Sequence, residues 1–91
     1  MKRYKIALTR SASKELNRLS SRTHDKIVDH LRQLETDPRI FGSEKLTGID
    51  AYKLRVGDLR IIYEIDDRAA EVRVVMVDDR KQVYQRLRRK R

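Results

Sequence analysis

Tyr52-Lys53-Leu54-Arg55-Val56-Gly57-Asp58-Leu59-Arg60-Ile61-Ile62-Tyr63 is the stretch that decides the fold. Before Gly57-Asp58, Tyr52, Leu54 and Val56 share one face, with Lys53 and Arg55 on the other. After it, Leu59, Ile61, Tyr63 and Ile65 share one face, so residues 51–56 and 59–65 carry the period of two half-buried strands. Glycine first in a two-residue loop is the preference of a type II′ hairpin turn, which fixes the register. Val56 then faces Leu59, Arg55 faces Arg60, Leu54 faces Ile61, Lys53 faces Ile62 and Tyr52 faces Tyr63. Three cations gather around Ile62 on one sheet face. Arg55 and Arg60 stand directly opposed there, which destabilises a sheet unless an anion or water answers the charge.

Outward from the hairpin, Tyr4, Ile6 and Leu8 alternate with Lys5 and Ala7, which predicts a first strand over residues 3–8. Ala12, Leu16 and Leu19 recur at helical spacing, with Thr9 or Ser11 available to cap. A second stripe, Ile27, Leu31 and Leu34 with Val28 beside it, predicts another helix capped by Ser20 or Ser21 and ended by Asp37-Pro38. The two should form a hairpin. Between residues 39 and 50 no period survives. Residues 70–77 carry Val72, Val74, Val75, Met76 and Val77, the run of a central strand buried on most sides. Residues 80–91 hold seven of the 23 basic residues and no acidic one, and read as a short helix or frayed tail. The expected class is α+β: a small antiparallel sheet packed on an N-terminal helical hairpin, in the order β-α-α-β-β-β-α.

At 91 residues the chain supports one domain, 1–91, with one modest core. It has no cysteine, which excludes disulfide scaffolds and thiolate metal sites, and it offers no run of apolar residues long enough to span a bilayer. A cytoplasmic location without membrane partners is expected. The net charge of +9 makes polyanions, nucleic acid first among them, the expected partners.

The hairpin segment, preceded by Lys45-Leu46-Thr47-Gly48 and followed by Arg80-Lys81-Gln82-Val83-Tyr84, resembles the RelE/ParE toxin superfamily, as does the order of elements. The resemblance covers nearly the whole chain. It implies a toxin of a type II toxin–antitoxin system and, for the RelE-like branch, a ribosome-dependent endoribonuclease. Such an enzyme cuts mRNA in the ribosomal A site by attack of the 2′-hydroxyl on the adjacent phosphate and inhibits translation. Lys53, Arg55, Arg60, Arg80 and Tyr84 match its functional positions. Arg55 stands where the RelE prototype has a second lysine, which leaves Lys53 as the sole amine able to act as a base, since arginine holds its proton. Arg60 would hold the scissile phosphate, Arg80 would stabilise charge near the leaving oxygen, and Tyr84 would stack on or hydrogen-bond to a nucleotide. Asp78 and Asp79 precede Arg80 where relatives commonly carry glycine or histidine, and a carboxylate there competes for the guanidinium. The implied partners are a RelB-like antitoxin, the ribosome and mRNA, with DNA reached through the antitoxin.

Two rival readings stand beside this one. A ParE-like toxin poisons DNA gyrase without cleaving RNA, and a plain nucleic-acid-binding module needs neither target. The cluster of Lys53, Arg55, Arg60 and Arg80 favours the nuclease, because gyrase poisoning requires no phosphate-activating group. No cofactor or metal is expected: His24 and His30 are six residues apart and do not stack on one helix face. Phosphate-binding glycine loops are absent, and no serine has a plausible histidine partner.

Overall fold

A computed structural model describes residues 2–89, apart from the side chains of Arg80 and Arg89. The elements run β1 (Lys5–Leu8), α1 (Arg10–Asn17), α2 (Ser21–Leu34), β2 (Ser43–Lys45), β3 (Tyr52–Val56), β4 (Leu59–Asp66), β5 (Glu71–Asp79) and α3 (Arg80–Arg89). Thr9 caps α1 by accepting from the Ala12 N–H, and Ser20 caps α2 by accepting from that of Thr23. The α2 helix stops at Leu34, ahead of Asp37-Pro38, and the Glu35 carbonyl accepts from the Tyr4 N–H at 2.7 Å. That bond ties the end of α2 to the chain entering β1.

The hairpin register is the expected one at all five pairs, Arg55 opposite Arg60 included. Gly57 takes φ +60° while Asp58 does not enter the left-handed region, which marks the turn as type II′ rather than I′. The order across the sheet is β1-β5-β4-β3-β2, so β5 lies centrally between β1 and β4.

Two features correct the sequence reading while leaving the α+β class intact. The sheet is mixed rather than antiparallel, because β1 pairs parallel to β5, Ile6 against Val72 and Leu8 against Val74. The chain leaves β1 through two helices and re-enters the sheet at the opposite edge running against β1, and the three reversals from β2 to β5 bring β5 beside β1 in the same direction. Second, the segment expected to lack structure contains β2, whose three residues pair with β3.

The helical hairpin covers one sheet face: Ala12, Leu16, Ile27, Leu31 and Leu34 meet Leu54, Val56, Ile61, Tyr63, Val72, Val74 and Val77. Each fully buried large aliphatic or aromatic side chain there contributes about 1.5–3 kcal/mol. Across the sheet, Ala51, Ile62 and Met76 form a smaller core with Val83 of α3, joined by Leu87. A β-bulge decides which β5 residues reach each face. Ile62 pairs with Met76 but Tyr63 pairs with Val74, leaving Val75 as the extra residue. The bulge turns Met76 toward α3 and Val77 toward α1, which is why the run of apolar residues in β5 is unbroken. It also brings Asp78, instead of a valine, opposite Arg60.

Candidate active site

The pleat places Lys53, Arg55 and Arg60 on the sheet face that α3 covers. Lys53 has two side-chain partners. Its Nζ donates to the Tyr84 hydroxyl at 3.0 Å and lies 5.5 Å from the centre of that ring. The β2–β3 register sets Glu44 directly opposite Lys53, with the carboxylate 3.7 Å from the ammonium. Glu44, Lys53 and Tyr84 line one pocket of about 400 Å³, with Leu46, Ile49 and Leu87 as its apolar wall.

Arg60 is 7% exposed, the one buried charged residue among the described ones. A buried charge is ordinarily paired. Its Nη1 donates only to the Leu59 carbonyl, at 3.3 Å, and it makes no ion pair among the described residues. Asp78, its cross-strand neighbour, spends its carboxylate elsewhere, on Arg86 at 3.1 Å and on the Asp79 N–H at 2.9 Å. Arg55 is exposed, with its Nε on the Gly57 carbonyl. Asp79 accepts from the Gln82 N–H at 2.9 Å and so caps α3. Both aspartates therefore have structural duties. The backbone of Arg80 opens α3, and its side chain lies outside the described residues.

Of the expected site residues, Lys53 and Tyr84 touch, and Arg55 and Arg60 are cross-strand neighbours. Glu44 was missed by the sequence reading. Its place in the pocket follows from pairing with Lys53 through a three-residue strand, and no local pattern announces that strand. His24 and His30 face the α2 surface, His24 near Asp25 and His30 on the Lys26 carbonyl. No group of three or more metal-ligating residues occurs among the described residues.

A second polar cluster lies apart from the pocket. Arg39 holds Asp67 through two hydrogen bonds of 3.2 and 2.9 Å, and the Tyr4 hydroxyl donates to Asp67 at 2.6 Å. The Arg39 and Tyr4 hydrogen bonds hold the Asp67 carboxyl down at about 2. The same bond to Asp67 pushes the Tyr4 phenol up, and burial pushes up that of Tyr63, which donates to the Pro38 carbonyl at 2.8 Å. The hollow beside Asp67, about 550 Å³, sets Asp50, Glu64, Asp66, Asp67 and Glu71 against Arg68 and Arg73, a net negative lining that disfavours a phosphate. The Lys53 pocket has the opposite balance, with Lys45, Lys53 and Arg88 against Glu44.

Residues 6–84 match the family model described as the ParE toxin of type II toxin–antitoxin systems, parDE. The chain belongs to this toxin family. Within the wider RelE/ParE superfamily it is similar to the toxin–antitoxin complex RelBE2 from Mycobacterium tuberculosis, at 26% identity and TM-score 0.77, over 86% of this chain and 99% of that one. A mutant of the E. coli toxin RelE bound to a RelB antitoxin peptide is 29% identical, with TM-score 0.74, over 96% of this chain and 95% of that one. The YoeB/ParE toxin from Agrobacterium tumefaciens shares the fold at 22% identity and TM-score 0.72, over 82% of this chain and 96% of that one. The comparison with curated proteins found no match. No helix among the described residues of this RelE/ParE-type toxin is long and apolar enough to cross a membrane.

Proposed function

We propose that this toxin is a ribosome-dependent endoribonuclease that cleaves mRNA in the A site and is held inactive by a RelB-like antitoxin. The observation that carries the reading is the contact of Lys53 with Tyr84 and Glu44 in one pocket, a donor, a hydroxyl and a carboxylate within reach of each other. Cleavage of RNA without water as the nucleophile needs a proton acceptor for the 2′-hydroxyl, charge stabilisation on the phosphate and a proton for the departing 5′-oxygen.

Glu44 is the better acceptor. Carboxylate oxygens accept, whereas the Lys53 ammonium already donates to the Tyr84 hydroxyl. Glu44 takes the 2′-hydroxyl proton as the oxygen bonds to phosphorus. Lys53 and Arg60 meet the negative charge that builds on the phosphoryl oxygens. The bond to the 5′-oxygen then breaks, and that oxygen takes the hydroxyl proton of Tyr84, which Lys53 replaces along the hydrogen bond between them. Arg80 carries charge on the leaving oxygen, and Arg55 draws the flanking phosphate. The products are a 2′,3′-cyclic phosphate and a 5′-hydroxyl.

The antitoxin reading is supported by two of the similar structures, the RelBE2 complex and RelE bound to a RelB peptide, and by the +9 charge that an acidic segment would neutralise. The family description names ParE, and this favours a second reading, gyrase poisoning without nuclease activity. Primer extension on mRNA from expressing cells separates the two. Cuts confined to translated frames support the nuclease, and intact mRNA with arrested supercoiling supports the gyrase poison.

A further inference from the structure

We propose that Glu15 is a positioning residue for Tyr84, latching α3 to α1 and β5 so that the phenol meets Lys53. The inference rests on the nuclease reading of the Lys53–Tyr84 pair and adds residues outside the pocket.

The need for a latch begins at a sheet edge. The β1 strand accompanies β5 only as far as Val74, so the β5 backbone beyond it has no strand neighbour on that side. Glu15 supplies what the strand does not: its Oε1 accepts from the Val77 N–H at 3.0 Å. Its other oxygen pairs with Arg86 of α3. The Arg86 Nη1 also reaches Asp78 at 3.1 Å, and its Nη2 donates to the Ser11 hydroxyl at 3.3 Å. One carboxylate thus joins the last part of β5 to α3 from a position on α1. Both partners are mostly sequestered, Glu15 with 19% and Arg86 with 24% of its side chain exposed, so the pair is screened less than a surface pair would be.

The α3 helix has little else to hold it. Val83 is its only buried side chain among the described ones, with Leu87 partly buried beside it, and basic residues dominate the remainder. Tyr84 lies two residues before Arg86 on this helix. Its hydroxyl distance to Lys53, which sits on β3 paired on both sides by β2 and β4, therefore depends on where the latch sets α3. A displacement on the order of 1 Å at a reacting group can cost about 100-fold in rate.

The test uses the full chain with Glu15→Gln, which keeps an acceptor for the Val77 N–H but loses the charge that Arg86 pairs with. Arg86→Gln is the mirror variant should the first fail to fold, and Arg86→Lys is the conservative one. Amide hydrogen exchange along α3 and the NMR shift of the Tyr84 ring, assigned with Tyr84→Phe, need no RNA. Both should change in the Gln variants, and Arg86→Lys should restore them in part. On programmed ribosomes the saturating single-turnover rate should fall about tenfold or more, with half-saturation unchanged. Unchanged α3 exchange and Tyr84 shift, or a loosened α3 with a wild-type rate, overturns the proposal. A wild-type chain that never cleaves RNA, in variants whose α3 still loosens, upholds the latch and overturns the nuclease reading instead.

Discussion

Arg55 and Arg60 stand directly opposite one another across the β3–β4 hairpin, yet one is exposed and the other is 7% exposed. The pair costs stability: like charges in this relation destabilise a sheet by about 0.2–1 kcal/mol. No carboxylate relieves Arg60 among the described residues, because Asp78 across the next strand is committed to Arg86. On the proposed nuclease reading, a phosphate between the two guanidinium groups relieves this repulsion.

Replacing Arg55 with threonine should therefore stabilise the toxin by up to about 1 kcal/mol, since it removes the repulsion and adds a β-branched residue. The urea midpoint should rise with no change in slope, and cleavage should weaken at the same time. A lower midpoint would show that the pair is not in conflict.

Glu44→Gln should leave the fold intact, because 72% of that side chain is exposed and it pairs at a sheet edge. The single-turnover rate should fall by about 10²–10⁴, the loss expected for a general base. Equal rates would return the role of base to Lys53.

Arg80→Ala should leave ribosome binding nearly unchanged and lower the single-turnover rate by about 10²–10³, the loss typical of one preorganised charge stabiliser. Asp79 caps α3 and Asp78 pairs with Arg86, so both aspartates have partners other than Arg80. A wild-type rate in Arg80→Ala on ribosomes saturated with toxin would remove this residue from the site.

The hairpin was legible because one chemical fact, glycine first in a two-residue loop, sets both turn type and register, and five residue pairs follow from it. The helices were legible from apolar spacing and caps. What the sequence hid depends on distance. The parallel pairing of β1 with β5 joins residues more than sixty positions apart. The Ser43–Lys45 strand has no apolar alternation because it is an edge with little to bury. Glu44 and Glu15 acquire meaning only through partners that topology brings to them. Lys53 and Tyr84 were named together through family resemblance, and the contact between them was not legible.

The Arg39–Asp67–Tyr4 cluster gives a pH dependence of stability. With the Asp67 carboxyl held at about 2, below its ordinary value of 3.8, the cluster contributes fully above about pH 4 and its contribution is lost as pH falls toward 2. Asp67→Asn should be less stable than the wild type at neutral pH and should lose less stability between pH 4 and 2. Urea midpoints across that window provide the check, and parallel curves for the two proteins would contradict it.

The most direct measurement sets two reactions of the purified toxin side by side: ribosomes stalled on a defined mRNA, and gyrase supercoiling a relaxed plasmid. The nuclease account requires a cut at the A-site codon leaving a 2′,3′-cyclic phosphate, with supercoiling unaffected at the same toxin concentration. Intact mRNA together with blocked supercoiling would contradict it.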